Sequence, residues 1–456
     1  MKWSEASKII KEAWEEEIEI DDGSYYKEHI KRALGKKELF LESIKKFKTP
    51  QYILDENELR REALHFIKTF RKYIPNSEFF YAFKSNDLPY LANKLKLLGY
   101  NADVAGLFEL KLALKLGFEK IIFTGPGKSD EELKLAIENR GRVIINIDNM
   151  DELDRVVELV EDGKVRVSIR INPDSAVMKN WSKFGVGLND LKKTIDKARN
   201  EKNIELIGLH FHSSWNDTPG RYCENIKLIG NFLKEDIKDF EFLDIGGGIY
   251  PEDQATLTKF SHKYVLKEVI SEVLDKNIDF DISKFSVDDV DSLEKFGKEI
   301  SSCLEKYIFR FNKNIKIYFE PGRYVSNNST HILLRVIAEK GNNVIVDGGM
   351  NLIGGLDFSS YLFSPIVNLS NPSFNLKKKI IYGSLCKADD LWGYSYFGED
   401  VKKGDVLAVL NQGSYNFSRA WRFLKETAPY IVISNGKLIL AKEKEKFSDR
   451  YSGCKF

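Results

Sequence analysis

The sequence predicts an α/β fold, a (β/α)8 barrel, followed by a C-terminal all-β domain. First, from Glu58 onward a short β-rich run, a loop and an amphipathic helix alternate eight times, which implies parallel strands that close into a barrel. Second, after Arg323 strand-like runs alternate with Gly and Asn turns and no comparable helices follow. Third, 456 residues suffice for two domains. A doubly wound sheet is the alternative for the first part.

The predicted barrel strands are short apolar runs, several of which end on a polar residue: Phe79–Lys84, Ala102–Ala105, Ile121–Thr124, Val143–Ile147, Arg166–Ile171, Leu206–His212, Phe240–Ile245 and Ile315–Glu320. The intervening segments carry apolar residues at helical spacing. Ser129 and Glu132 predict a capping box, and Asn149 predicts the N-cap of a helix over 151–161.

The predicted domains are a helical extension at residues 1–48, the barrel at 58–330, and a β domain built from 49–57 together with 331–456. The extension is highly charged, with helices expected at Tyr25–Ala33 and Lys37–Phe47. The stretch 249–314, before the last barrel strand, is longer than one helix requires. It predicts an insertion with helices at Thr258–Leu274 and Ser292–Phe309 around an acidic segment.

The composition is that of a globular protein with balanced charge. Lys and Arg number 70 and Asp and Glu 69, a net charge of +1, which gives no electrostatic reason to expect nucleic-acid or membrane-surface binding. Neither a signal peptide nor an apolar run of roughly 20 residues is present. The four scattered cysteines predict neither a disulfide framework nor a metal site. We expect a cytoplasmic protein.

Polar residues fall repeatedly at the carboxyl ends of the predicted strands, where barrel active sites lie. In chain order these candidates are Lys84, Asp103 with Glu109, Arg170, His212, Gly246-Gly247-Gly248 and Glu320-Pro321-Gly322-Arg323.

Together these residues meet the demands of pyridoxal 5'-phosphate (PLP). Lys84 supplies the amine that binds the cofactor covalently. Glu320 would partner the pyridine nitrogen, and Arg170 could hold Glu320 in place. The glycine run and Arg323 would bind the phosphate, and His212 could lie flat on the ring. Each residue taken alone has an ordinary structural explanation, and only their common position at strand ends favours the cofactor.

The ordered motifs resemble fold-type III PLP-dependent decarboxylases, the family of ornithine, diaminopimelate and carboxynorspermidine decarboxylases. The resemblance runs from about Thr49 to Tyr415 and rests on these segments: Tyr81–Asn86, Asp103–Glu109, Thr124–Ser129, Lys183–Gly185, Gly208–His212, Leu243–Gly248, Glu320–Arg323, Val346–Asn351, Gly383–Cys386 and Gly413–Tyr415.

The resemblance implies an alanine-racemase-like barrel with a β-sandwich or β-barrel domain. It implies that Lys84 binds PLP covalently, that His212 stacks on the cofactor ring and that Glu320 pairs with the pyridine nitrogen. It also implies that the phosphate is bound by Gly247, Gly248, Gly322, Arg323 and Tyr415. It also implies a head-to-tail homodimer in which Cys386 enters the neighbouring subunit's site and helps to protonate the carbon left by CO2.

Three departures from the family pattern indicate an uncommon branch. Trp215 stands where the family has a serine, so Ser214 would take over that contact. The acidic residue expected after the cysteine is Lys387 here, so either Asp390 receives the substrate's distal amine or the distal group is anionic or neutral. Arg419 adds a second cation near the expected substrate end.

The sequence therefore predicts an amino-acid α-decarboxylase with a non-standard small-molecule substrate. Alternatives are a diaminopimelate decarboxylase proper, an amino-acid racemase on the same fold, and a catalytically inactive decarboxylase-like regulator.

Overall fold

The computed structural model describes residues 3–15, 26–173, 182–214, 216–252, 290–354 and 364–455, with short segments at 255–257, 266–267, 269–272 and 285–287. The chain forms two compact units. One comprises Arg60–Glu252 and Val290–Ser326, and the other comprises Met1–Leu59, Asp253–Asp289 and Asn327–Phe456. No helix within the described ranges is both long and apolar enough to cross a membrane.

The first unit contains a closed barrel of eight parallel strands, which confirms the predicted fold class. The strands are Ser77–Ala82, Asn101–Val104, Ile121–Phe123, Val143–Ile147, Val165–Asn172, Ile204–His210, Phe242–Asp244 and Lys316–Phe319. Each pairs in parallel with the next, and the last pairs with the first. A two-residue strand, Val186–Gly187, pairs with the end of Val165–Asn172.

Helices follow the strands as the apolar spacing predicts. They are Glu56–Tyr73, Pro89–Leu97, Leu107–Lys115, Asp130–Glu138, Met150–Leu159, Leu188–Asn200, Gly220–Leu233 and Leu293–Leu304. The capping box of Ser129 and Glu132 is present, and Asn149 caps its helix through the backbone N–H of Glu152. A π-helical turn, Glu305–Phe309, continues Leu293–Leu304.

The predicted insertion is described only in part. Most of the helix expected at Thr258–Leu274 lies outside the described residues, and within them 266–267 and 269–272 are helical. Two short strands, Ala255–Leu257 and Phe285–Val287, pair antiparallel.

The β unit contains a nine-stranded sheet: Gln51–Asp55, Thr330–Lys340, Asn343–Val346, Ile366–Asn368, Leu376–Tyr382, Leu391–Phe397, Val406–Val409, Tyr430–Ser434 and Lys437–Lys442. Six of them close into a small barrel, because Thr330–Lys340 pairs with both Asn343–Val346 and Val406–Val409. The early strand Gln51–Asp55 lies between Thr330–Lys340 and Tyr430–Ser434.

The N-terminal helices are Trp3–Glu15, Lys27–Leu34 and Lys37–Phe47. Tyr26, Ile30 and Phe40 lie in one buried apolar cluster with Ile53 and Ile431 of the sheet. The region after residue 26 is therefore part of the β unit's core rather than a solvated appendage.

The interior of the parallel barrel depends on a glycine. One buried cluster takes a residue from each of six strands: Phe80, Ile122, Ile144, Ile207, Phe242 and Tyr318. The rings of Phe242 and Tyr318 stack at 4.3 Å. Gly208 is the register partner of Phe242, and a Cβ at position 208 would lie 2.3 Å from that ring.

We therefore expect Gly208→Ala to overpack the barrel and lower the free energy of unfolding by about 1–3 kcal/mol. Thermal melting followed by circular dichroism measures this change. Gly141→Ala is the matched control, since a Cβ there meets nothing within 4 Å. Adding Phe242→Leu should recover part of the loss, and an unchanged melting temperature in Gly208→Ala would contradict the overpacking.

Candidate active site

Closing eight parallel strands brings their carboxyl ends to one rim, and the candidate residues of the barrel unit collect there. Glu320 directly follows strand Lys316–Phe319. Two predicted placements shift: Lys84 lies not in a strand but in a single 3-10 turn, Phe83–Ser85, after strand Ser77–Ala82. His212 lies two residues beyond the end of strand Ile204–His210.

Lys84 is held by a buried carboxyl group. Its Nζ donates to Oδ2 of Asp103 at 3.1 Å, and the Thr124 hydroxyl donates to Oδ1 at 2.6 Å. Burial first and the charge of Glu320 second raise the pKa of Asp103 to about 6, against the lowering effect of Lys84 and Thr124. The Asp103 carboxyl therefore orients the Lys84 amine, and its pKa of about 6 lets it gain or lose a proton near neutral pH.

Glu109 closes the turn after strand Asn101–Val104. Its Oε2 accepts the backbone N–H of Ala105 at 2.7 Å. Burial raises the pKa of Glu109 to about 7, although the Ala105 N–H lowers it. Glu109 therefore supports the loop beside Asp103 and ionises less readily than an ordinary glutamate.

Glu320 is almost fully buried between two histidines. Its Oε1 lies 3.2 Å from Nε2 of His210, and its Oε2 lies 3.3 Å from Nδ1 of His212. Burial alone would raise the pKa of Glu320, but His210, His212 and Lys84 together lower it well below its ordinary value. Glu320 is thus the anionic member of the cluster.

Arg170 does not hold Glu320, contrary to the sequence-based expectation. Its guanidinium donates to the carbonyl of Thr124 at 3.3 Å, lies 4.0 Å from Asp148, and stacks on the Phe184 ring at 4.4 Å. The reason is register: Arg170 pairs with His210 across the sheet, so the histidine stands between Arg170 and the strand that precedes Glu320.

The glycine run forms a surface that only backbone can line. A Cβ at Gly247 would lie 2.1 Å from the carbonyl oxygen of Glu320, and a Cβ at Gly248, whose φ is +96°, would lie 2.2 Å from that of Ser213. The N–H of Gly247 donates to Nδ1 of His212 at 3.1 Å. The run therefore keeps side chains out and leaves only backbone at this part of the rim.

The remaining phosphate candidates of the barrel unit lie along the next loop. Gly322 packs on Ser85, where a Cβ would approach the serine Cβ to 2.9 Å. The guanidinium of Arg323 lies 5.5 Å from the Tyr250 ring. Ser214 is exposed and follows the buried Ser213. Trp215 lies outside the described residues.

The cysteine loop, residues 383–390, connects strands Leu376–Tyr382 and Leu391–Phe397 of the β unit. Cys386 is exposed. Asp390 is buried, and its two oxygens accept the backbone N–H groups of Met350 at 2.6 Å and Leu385 at 2.7 Å. The prediction that Asp390 receives a substrate amine does not fit this placement, because both of its oxygens already hold the loop together.

Lys387 and Arg419 lie in the same unit. Nζ of Lys387 lies 2.8 Å from Asp389 and 5.9 Å from the Trp421 ring. Arg419 ends a 3-10 turn, Phe417–Arg419, that follows Tyr415, whose φ is +59°. The Cβ of Arg419 leaves no room for a side chain at Gly354.

Sequence reasoning missed three residues of the rim: His210, Thr124 and Asp244. His210 and His212 are two residues apart, and alternation along an extended chain places such a pair on one side, so His210 could have been found from its spacing. Thr124 ends the third predicted strand. Asp244 ends a strand, and burial together with Glu320 raises its pKa well above the ordinary value.

These residues fit PLP. Within the described part of the chain, Oε1 of Glu320, Oδ2 of Asp244 and both ring nitrogens of His210 are buried without an aligned hydrogen-bond partner, as expected where a polar ligand is recognised. His210, His212 and Glu320 each offer one atom that could ligate a metal, and these three atoms lie within 4.8 Å of one another, close enough for one metal ion. The adjoining amine of Lys84 and the glycine run favour an organic phosphate.

Comparison with known proteins agrees with this fit. Residues 60–327 match the family model described as "Pyridoxal-dependent decarboxylase, pyridoxal binding domain". The chain is 27% identical to the diaminopimelate decarboxylase of Aquifex aeolicus (strain VF5), over 90% of this chain and 94% of that one. It is 27% identical to the L-glutamyl-[BtrI acyl-carrier protein] decarboxylase of Niallia circulans, over 89% and 93%.

Among solved structures, the diaminopimelate decarboxylase of M. jannaschii superposes with a TM-score of 0.76. It is 22% identical and covers 91% of this chain and 94% of that one. At this identity the likeness shows the fold.

We expect Glu109→Gln to change how the stability of the cofactor-free protein depends on pH. The pKa of Glu109 is raised to about 7 in the folded chain, against about 4.3 in an unfolded chain. Its contribution to stability is therefore full below pH ~4 and is lost as the pH rises through 7. Glutamine cannot ionise and still accepts the Ala105 N–H.

Melting temperatures measured from pH 5 to 8 should consequently fall further in the wild type than in Glu109→Gln. Glu131→Gln, on an exposed helix surface, is the control and should follow the wild type. Parallel curves for wild type and Glu109→Gln would contradict the raised pKa.

Proposed function

We infer that this chain is a PLP-dependent amino-acid decarboxylase, because it belongs to the family of pyridoxal-dependent decarboxylases and carries that chemistry's residues at one barrel rim. The observation that carries the inference is the joint placement of Lys84 and Glu320, since an amine and a buried anionic carboxylate are what the two ends of a pyridoxal ring require. When bound, PLP supplies an aldehyde that reacts with amines and a ring that accepts electrons.

Lys84 provides the amine that holds the cofactor, and the Asp103 carboxyl orients it through the 3.1 Å contact. Because the pKa of Asp103 is raised to about 6, chiefly by burial, this carboxyl can take or return a proton near neutrality. Asp103 and Thr124 thus keep Lys84 in position at the strand end.

Glu320 holds a negative charge where the pyridine nitrogen would lie, which keeps that nitrogen protonated. We propose that His212 packs on the ring, and that Gly247, Gly248, Gly322, Arg323 and Tyr415 bind the phosphate, with Ser214 beside the glycine run. The side-chain-free surface of that run supports this assignment, because a phosphate can approach the backbone closely where no side chain projects.

We propose a head-to-tail homodimer in which Cys386 serves the neighbouring subunit's site and delivers a proton after CO2 leaves. A thiol suits this step because its proton transfers near neutral pH. Two observations support the proposal: Cys386 is exposed, and Asp390 holds the cysteine loop through the backbone N–H of Leu385. The proposal includes a cytoplasmic location, which the free thiols of all four cysteines favour.

For the substrate, we propose an amino acid with an anionic or neutral distal group. Lys387 stands where a cationic tail would meet an acid, and Arg419 adds a second positive charge in the same unit. Asp389 balances part of the charge of Lys387. Diaminopimelate decarboxylation is the alternative, because that substrate carries both a carboxylate and an ammonium group at its far end.

Purified protein should be yellow and should lose its long-wavelength absorbance in Lys84→Ala, because no other side chain at the rim offers an amine in this position. Absorption spectroscopy after incubation with PLP measures this. Lys111→Ala, an exposed lysine on Leu107–Lys115, should keep the band. A colourless wild type that PLP cannot reconstitute would refute the inference.

In a CO2-release screen over amino acids with anionic, neutral and cationic tails, we expect ornithine and lysine to be poor substrates. Lys387→Glu should raise kcat/KM for cationic tails by roughly fivefold, the effect of about 1 kcal/mol at a partly exposed charge.

Lys402→Glu makes the same charge change at an exposed turn and should leave the preference unaltered. Efficient release of CO2 from ornithine or lysine by the wild type would contradict the substrate proposal. Exchange of enantiomers without CO2 would favour the racemase, and a cofactor-bound protein inactive on every substrate would favour the regulator.

A further inference from the structure

His210 is a buried histidine to which the family motifs assigned no role. It ends strand Ile204–His210 and is 1% exposed. Its register partners are Arg170 on one side and Asp244 on the other. A polar side chain in this position would be costly to bury unless it made a compensating interaction.

The nearest such interaction is with Glu320. Nε2 of His210 lies 3.2 Å from Oε1. The two atoms are at hydrogen-bond distance but are not aligned as a hydrogen bond, and no described residue gives either of them an aligned partner. Both atoms are buried, so a hydrogen bond between them would satisfy both.

His212 is poorly suited to be the donor to Glu320. Its Nδ1 lies 3.3 Å from Oε2 of Glu320 but already accepts the N–H of Gly247 at 3.1 Å. A ring nitrogen has a single in-plane position, so a nitrogen that accepts a hydrogen bond carries no proton to donate. The glycine run therefore leaves His210 as the histidine with an N–H for the carboxylate.

Burial favours the neutral form of His210. Burial lowers the pKa of His210 to about 4, although Glu320 raises it, and Arg170 and His212 lower it further. A neutral imidazole carries one N–H, and with that proton on Nε2 the ring donates to Glu320 without adding a second charge to the cluster.

We propose that His210 is a positioning residue that donates its Nε2–H to Oε1 of Glu320 and thereby fixes the plane and the negative charge of the carboxylate that faces the pyridine nitrogen. The inference rests on the proposed role of Glu320. In this role His210 acts through Glu320.

The test compares two substitutions at one position in the full-length, cofactor-loaded protein. His210→Met removes the donor but keeps an adaptable apolar side chain, whereas His210→Gln keeps an N–H near the place of Nε2. Cofactor retention during dialysis and the absorption spectrum are measured for each, and thermal melting verifies folding.

We expect His210→Met to weaken PLP retention by roughly tenfold to a hundredfold, the effect of losing a hydrogen bond to a charged group, and to alter the absorption band. His210→Gln should stay close to the wild type. His331→Met is the matched control, since His331 is also a buried histidine, of the β unit, whose Nδ1 accepts the N–H of Asn411. It should keep the wild-type spectrum.

A double-mutant cycle separates positioning from general packing. If His210 acts through Glu320, His210→Met adds nothing to Glu320→Gln, whereas a merely structural role makes the two effects add. Additive effects, or wild-type retention and spectrum in His210→Met, would overturn the proposal. An unaltered spectrum in Glu320→Gln would instead overturn the role of Glu320.

Should His210→Met fail to fold, His210→Gln is compared with the wild type, and His210→Gln combined with Glu320→Gln is compared with Glu320→Gln alone. The proposal requires both pairs to match, and a difference in either pair refutes it.

Discussion

Burial of one ionised carboxylate constrains the whole carboxyl rim of the barrel. Glu320 is 2% exposed, and a charge kept from water is stable only when donors and positive charge surround it. Lys84 supplies positive charge and His210 the proposed donor, and burial and Glu320 shift the pKa values of the neighbouring carboxyls. Burial and Glu320 raise the pKa of Asp244 well above its usual range and that of Asp103 to about 6. Carboxyls that share one site are thus driven to different protonation states, the arrangement that acid–base chemistry exploits.

The fold could be predicted from the sequence because the strand and helix patterns that specify it are local and repeated. Strand and helix patterns alternate along the chain, so small errors at strand ends, as at Lys84, left the topology intact. Site residues could be predicted where the residue type alone indicates the chemistry, as for Lys84 and Glu320. They could not be predicted where a side chain's partner depends on the register between strands. Arg170 was paired with the wrong carboxylate because sequence alone does not show that His210 stands between, and the burial of Asp390 depends on contacts 40 residues away, at Met350.

The candidate residues of the two units differ in their surroundings. In the barrel unit the reacting groups are nearly all buried and interdependent, so few substitutions there leave the charge balance intact. In the β unit the residues proposed to bind the substrate, Lys387 and Arg419, lie on short turns. Two of the three departures from the family pattern, Lys387 and Arg419, lie on these turns.

The hydrogen bonds of Asp390 have a consequence for how new substrate specificities arise. Its two oxygens tie Leu385, beside Cys386, to Met350, and its carboxylate occupies the space that side chains at Gly349 and Gly383 would need. The Lys387 side chain takes no part in these contacts and meets Asp389 and Trp421 instead. Mutational drift can therefore sample many side chains at position 387 while the thiol stays in place, which makes this loop a natural module for evolving, or engineering, acceptance of a new amino acid.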